Sequence, residues 1–261
     1  MYMIILAAGQ GTRLRPLTDN VPKCLIEVNG KSLLDWQLQA ASSLDVSNIG
    51  IVTGYMNSTV QGRPATYFNN PNYETTNMVE TLWCASSIFN NNVVVSYGDI
   101  IFETNVLDSI LSSNHPISVV VDKGWRPYWE RRFDNVLPDA ETLKIDGNNQ
   151  IRSIGQKPKS VKEIDGQYIG LMKFQDGGVD ILRTIYNDAK KASLEGRYPL
   201  RGQRPFQNLY MTDILQGIID VGFPVHQVSI ERGWLEIDTL SDLQLANSVT
   251  SVIRDRLVIN E

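Results

Sequence analysis

Met3-Ile4-Ile5-Leu6-Ala7-Ala8-Gly9-Gln10-Gly11-Thr12-Arg13-Leu14-Arg15-Pro16-Leu17-Thr18, closed by Pro22-Lys23, decides how the rest of this chain is read. Its short apolar start is the pattern of a buried strand, and it runs into small residues and two glycines. Gly9 and Gly11 lack a Cβ, which lets the backbone bend with φ > 0 and bring its N–H groups close to a ligand. Successive N–H groups in such a loop form an anion nest, and phosphate is the usual anion. A plain strand-to-helix turn needs glycine as well. Arg13, Arg15 and Lys23, three positive charges within eleven residues, favour the phosphate.

Length and charge set the outer bounds. A chain of 261 residues suits one large α/β domain with a smaller lobe. A net charge of −5 argues against a nucleic-acid partner, whose footprint is normally basic. Cys24 and Cys84 are too few for a disulfide framework, and two cysteines alone make no zinc site. Reduced thiols in a cytoplasmic protein are the expectation. The N-terminus shows no charged n-region or cleavage signal, and no apolar run approaches the roughly 20 residues that would span a bilayer. A homo-oligomer is compatible with all of this.

Working outward, apolar runs alternate with helical patterns. Strands are expected at Leu25–Val28, Asn48–Gly54, Ala65–Phe68 and Val93–Tyr97. Ser32 is placed to cap one helix, and Asn77 another, with Glu80 completing a capping box. Such alternation implies a doubly wound, mostly parallel, Rossmann-like sheet. After residue 122 the rhythm changes. Gly124–Phe133 is an aromatic and basic patch without clean periodicity, and Glu141–Ile154 reads as a hairpin. Gln167–Phe174 and Val225–Ile230 read as strands. Val179–Glu195, Met211–Asp220 and Ser241–Arg254 read as helices, and Gly196–Gln207 as a loop. The economical organisation is one domain: residues 1–121 as core, 122–210 as an inserted substrate-side lobe, and 211–261 returning to the core.

Ligands of open parallel sheets bind beyond the carboxyl ends of the strands. The first loop lies there, and so does Asp99, directly after Gly98 and the long Val93–Tyr97 run. Asp99 is available to a metal held by oxygen ligands, although an Asp after a strand is also a common turn or cap residue. In Leu235-Glu236-Ile237-Asp238 the two acids share one strand face. Asp238 could equally cap the helix near Ser241.

The first loop lacks the Gly-Lys-Ser/Thr ending of a P-loop, and Leu14 stands where a dinucleotide fingerprint needs its third glycine. Position by position it resembles instead the signature of the nucleotidyltransferases that activate sugar 1-phosphates and phosphocholine: Leu-Ala-Ala-Gly-x-Gly-Ser/Thr-Arg, then Pro-Leu-Thr, then Pro-Lys. That resemblance implies a nucleotide against Leu6, Ala7, Ala8, Gly9, Gly11, Thr12, Asn77 and Gly98. It implies Arg13 on the β- and γ-phosphates, Lys23 on the α-phosphate, and Mg²⁺ held by Asp99 and Asp238. Lys157, in Gly155-Gln156-Lys157-Pro158, matches the Lys-Pro pair that grips the acceptor's phosphate in relatives, with Gln156 where they usually carry Glu.

The Gln-rich loop of the sugar enzymes is missing around Asn72–Leu82. Thr76-Asn77-Met78-Val79, Val121-Asp122-Lys123-x-Trp125, Asp139-Ala140-Glu141-Thr142-Leu143-Lys144, Gln167-Tyr168-Ile169-Gly170-Leu171 and Tyr210-Met211-Thr212 resemble the capsule-associated branch that cytidylates phosphoglutamine. The implied reaction is CMP transfer from CTP to a small phosphorylated amine or amino acid, of phosphoglutamine or phosphocholine type. Trp125, Tyr128 and Trp129 could box a quaternary ammonium or form the lobe's core. Lys123, Arg131 and Arg132 would suit an anionic acceptor or a solvated face. The expected acceptor contacts are therefore Lys123, Trp129, Arg132 and Lys157. The alternatives are a sugar-1-phosphate uridylyl-, thymidylyl- or guanylyltransferase and a regulatory protein that has kept the first loop.

Overall fold

In the computed structural model, which describes residues 1–201 and 204–260, Met3, Ile5 and Ala7 pack on one face of their strand and Ile4 and Leu6 on the other. A strand buried on both faces belongs inside a parallel sheet. The Tyr2–Ala7 strand accordingly pairs in parallel with Ile49–Thr53 on one side and Asn92–Tyr97 on the other. Thr66–Asn69 extends the sheet beyond Ile49–Thr53. Across Asn92–Tyr97 come Gln167–Gln175, Ile117–Asp122 and His226–Ile230, completing seven strands. Gln167–Gln175 runs antiparallel to both its neighbours, whereas Ile117–Asp122 and His226–Ile230 are parallel. The fold is a mostly parallel, Rossmann-like sheet, as the alternation of apolar runs implied.

Helices cover both faces. Leu33–Ser42, Thr104–Leu111 and Trp125–Arg132 pack on the side of Met3 and Ile5. Met78–Cys84, Gly177–Leu194 and Met211–Asp220 pack on the side of Ile4. Ser32 caps its helix by accepting the N–H of Asp35 at 3.0 Å. Asn77 accepts only the adjacent Met78 N–H, and no capping box forms, because the Glu80 carboxylate receives the Tyr186 hydroxyl at 2.7 Å.

Three other expectations change. Leu25 belongs to a 3₁₀ turn, Lys23–Leu25, and the strand after it is only Glu27–Val28, hairpinned to Lys31–Ser32. The aromatic patch is a regular helix whose buried members, Trp125, Tyr128, Trp129 and Arg132, follow helical spacing. The closing helix stops at Val249, and Thr250–Ile253 pairs with Arg256–Ile259 as a hairpin. The β-branched run Val249-Thr250-Ser251-Val252-Ile253 suits a strand better than a helix. Of the Gly196–Gln207 loop, residues 202 and 203 lie outside the described chain.

Candidate active site

Two local devices bring the charges together. The first is the turn after Tyr2–Ala7, where Gly11 sits in the left-handed region at φ 73°. A Cβ at Gly11 would lie 2.9 Å from Lys23 Cβ, so the glycine lets the lysine stem pass beneath the loop. Gly9 is not left-handed, contrary to the expectation; a Cβ there would meet open space. Among the described residues nothing accepts the N–H of Gly9, Gln10 or Gly11.

The second device is a short antiparallel pair. Trp234–Glu236 lies along Ile100–Phe102, with Glu236 opposite Ile100. Ile237 N–H then donates to the Asp99 carbonyl at 3.0 Å, which sets Asp238 beside Asp99. Asp238 does not cap the following helix. Thr239 does, in a box with Asp242.

The result is a cleft of about 770 Å³ at the carboxyl ends of the strands. Lys23 Nζ donates to Asp99 Oδ2 at 2.7 Å and also to Asp238 Oδ1, while Arg13 Nη2 donates to Asp238 Oδ2 at 2.9 Å. Oxygens of Asp99, Glu236 and Asp238 lie within 4.8 Å of one another. Burial opposes the charge on Lys23, but the two aspartates outweigh it and raise its pKa. For Asp238, burial is outweighed by Lys23 and Arg13, and its pKa falls. Glu236 is pushed up to about 7 by burial and then by Asp238.

A divalent cation is the natural counter-charge for three converging carboxylates. Asp99 Oδ1 is a buried acceptor without a hydrogen-bond partner, and hard oxygen donors of this kind suit Mg²⁺. The residues present therefore fit the ion. Glu236 was not assigned in the sequence reading, although its place on the same strand face as Asp238 was the signal for it.

The other expected contacts divide. Gly9, Gly11, Thr12 and Lys157 line the cleft. The Leu6 carbonyl accepts from Gly98 N–H at 3.0 Å and the Ala8 carbonyl from Tyr55 N–H at 3.1 Å. A Cβ on Gly98 would lie 2.5 Å from Leu6 O, so that glycine serves close strand approach. Ala7 is buried in the sheet. Asn77 holds the backbone while its neighbour Met78 faces the cleft.

Arg132 is not where the acceptor reading put it. Its side chain is fully buried, donating to Glu236 Oε2 at 2.7 Å and Asp242 Oδ1 at 2.9 Å. Trp129 does reach the cleft wall, but it is only 4% exposed and gives its indole N–H to Asp139 at 3.0 Å. With Trp125, Tyr128 and Trp234 it forms an edge-to-face core, so no open aromatic box exists there. Lys123 is exposed and lies away from the cleft lining. In place of Lys123 and Arg132 the cleft presents Tyr168, Asp139, Glu141, Arg204 and Tyr210. Tyr168 and Gly170 sit in an irregularity of the Gln167–Gln175 strand, between Tyr168 and Met172, which turns this part of the sheet toward the cavity.

Residues 3–162 match the MobA-like NTP transferase domain. The chain belongs to that family. It is a nucleotidyltransferase. It is 35% identical over 256 residues to the CTP:phosphoglutamine cytidylyltransferase of Campylobacter jejuni, covering 94% of this chain and 98% of that one. The fold resembles that of the inositol-1-phosphate CTP transferase from T. maritima, with a TM-score of 0.70 at 19% identity, covering 94% of each chain. It also resembles that of the CTP:phosphocholine cytidylyltransferase from Streptococcus pneumoniae, with a TM-score of 0.68 at 20% identity over 95% of this chain and 97% of that one. Among the described residues no helix is long and apolar enough to cross a membrane.

Proposed function

We propose that this enzyme is a cytoplasmic, Mg²⁺-dependent cytidylyltransferase. It transfers CMP from CTP to a small phosphorylated amine or amino acid and releases pyrophosphate, in a step toward modifying a capsule or surface polysaccharide. One observation carries the reading: Arg13 and Lys23 meet Asp99, Glu236 and Asp238 at the mouth of the phosphate loop. The choice of cytidine is supported by the relative of 35% identity, which is named as a CTP enzyme.

In this reaction an oxygen of the acceptor's phosphate attacks the α-phosphorus of CTP in line. A new P–O bond forms, the bond from the α-phosphorus to the bridging oxygen breaks, and its electron pair leaves with pyrophosphate. No side-chain nucleophile is needed. Negative charge grows on oxygens around phosphorus, so fixed cations and N–H donors supply the stabilisation. The N–H groups of Gly9, Gln10 and Gly11 face the phosphates, Arg13 takes the β- and γ-phosphates, and Lys23 the α-phosphate. Lys157 holds the acceptor's phosphate against the repulsion of the triphosphate. Asp99, Glu236 and Asp238 would hold Mg²⁺, which neutralises phosphate charge and activates the leaving group.

The test is pyrophosphate release from CTP, UTP, dTTP and GTP against phosphoglutamine, phosphocholine and several sugar 1-phosphates. CTP with an amino-bearing acceptor is the expected best pair. Faster turnover of UTP, dTTP or GTP with a sugar 1-phosphate would replace this reading with that of a sugar nucleotidyltransferase.

A further inference from the structure

Beyond the phosphate loop the cleft carries a second set of charges, of both signs. Arg204 lies over Tyr210, its guanidinium carbon 4.0 Å from the ring centre. Its Nε stands 3.2 Å from Asp213 Oδ2 without meeting hydrogen-bond geometry. Asp213 is already engaged, since Oδ2 accepts the Tyr210 N–H at 2.8 Å as part of the helix cap. Asp213 meets the guanidinium at Nε, so the terminal nitrogens remain as a donor fork for a planar anion.

Facing the same cavity are Asp139, Glu141 and Lys157. The Asp139 carboxylate is oriented by the Trp129 indole N–H, and Lys157 Nζ donates to the Pro138 carbonyl at 2.6 Å. Thr142 N–H donates to Gln156 O at 2.7 Å and Gly155 N–H to Thr142 O at 3.0 Å, so the two acids and the lysine ride on one hairpin base. That base is locked to the helix carrying Asp213: a Cβ on Gly155 would lie 2.5 Å from Thr212 Cβ. The charges are thus held by two elements in direct contact.

We infer that this end of the cleft receives an α-amino-acid head group, with Arg204 taking the acceptor's carboxylate and Glu141 with Asp139 its ammonium. The inference rests on the CMP-transfer reading for the placement of the acceptor's phosphate at Lys157. A zwitterion matches both signs at once. Choline would match the two acids and the Tyr168 ring that lines the cleft, but it brings no anion for the Arg204 guanidinium. A sugar brings no charge to either group. Burial pushes the Glu141 carboxyl up to about 7 against the opposing pull of Lys157, so an arriving ammonium would restore its charge.

The experiment compares three acceptors with CTP: L-glutamine phosphorylated on its side-chain amide, the same compound without its α-carboxylate (phosphorylated 4-aminobutanamide), and without its α-amine (phosphorylated glutaramic acid). The intact amino acid should exceed the first analogue by about 30-fold or more in kcat/KM, the size expected for losing one desolvated charge pair. Arg204→Gln should collapse that ratio to within about threefold, and Glu141→Gln should do the same for the second analogue. Equal use of the analogues by the wild-type enzyme overturns the inference without any variant having to fold. So does a ratio that survives Arg204→Gln, or a preference for phosphocholine. If CTP is not used with any acceptor, the CMP-transfer reading fails, and calorimetric binding of the same three compounds to the nucleotide-free protein decides. Tight binding of the amino acid that Arg204→Gln abolishes supports the site, and no binding refutes it.

Discussion

Lys23 Nζ bridges two carboxylates, donating at 2.7 Å to Asp99 and also to Asp238, so a single cation holds together groups from two separate segments. Its side chain and that of Asp238 are each about nine-tenths shielded from solvent, so the contact is barely screened by water. Lys23→Met should leave Asp99 and Asp238 without the cation they share. The expected result is a lower Tm in metal-free buffer and a rise on adding Mg²⁺ larger than that of the wild type, because the ion replaces the missing cation. CMP transfer should fall by about 10²-fold or more. Equal Mg²⁺-induced shifts in the two proteins would mean that these carboxylates do not hold the ion.

Asp99→Ala and Asp238→Ala should each lower turnover by about 10²-fold or more while leaving the circular dichroism spectrum in place. The variants remove a carboxylate from the wall of the cleft and leave the sheet untouched. Near-normal turnover in Asp238→Ala would reduce that residue to a partner of Arg13 and Lys23.

Arg132 is a different case. Its guanidinium is buried between Glu236 and Asp242, and Arg132→Met would strand Asp242 in a low-dielectric interior and leave Glu236 at the cleft wall without its partner. Removing one partner of a buried pair costs about 3–5 kcal/mol. For a chain of this size that corresponds to a fall in Tm of roughly 10 °C. The acceptor KM of the folded fraction should stay near the wild-type value. A large KM effect with unchanged Tm would put Arg132 in the cleft after all.

Glu141 gives a pH signature. Its folded pKa, pushed up to about 7 by burial, lies above the usual glutamate value of 4.5. Between those values the folded protein keeps a proton that the unfolded chain has lost, so stability from this group falls as pH rises and levels off above about 7. Glu141→Gln removes the effect. Its stability relative to the wild type should therefore increase from pH 5 to pH 7 and then stay constant, as read from denaturant midpoints. A difference that does not change over this range would place Glu141 in a more hydrated setting.

Much of the nucleotide end was legible because its residues are local. Gly11, Arg13 and Lys23 lie within one loop, and Asp99 directly follows a strand whose apolar character is unmistakable. Glu236 and Asp238 were visible through their alternation with Leu235 and Ile237. The acceptor end depends on partners far away in the chain. Arg132 looked available because nothing near it in sequence neutralises it, and its carboxylates lie 104 and 110 positions further on. The same arginine interrupted an apolar stripe and hid the helix Trp125–Arg132. Arg204 and Glu141 stand in segments without strong periodicity, and contacts such as Gly155 with Thr212 and Ile154 N–H with Gln216 bring them to one cavity.

The Arg13–Asp238 pair spans 225 positions. A ribosome working from the N-terminus therefore exports the phosphate loop early and the last carboxylates late. Until residues beyond Asp238 have cleared the exit tunnel, Arg13 and Lys23 stand in the nascent chain without two of the three acids that later face them. A polypeptide of this kind can build most of its sheet during synthesis yet gain catalytic competence only near the close of translation. Premature termination just ahead of Trp234 should then yield a chain that turns nothing over.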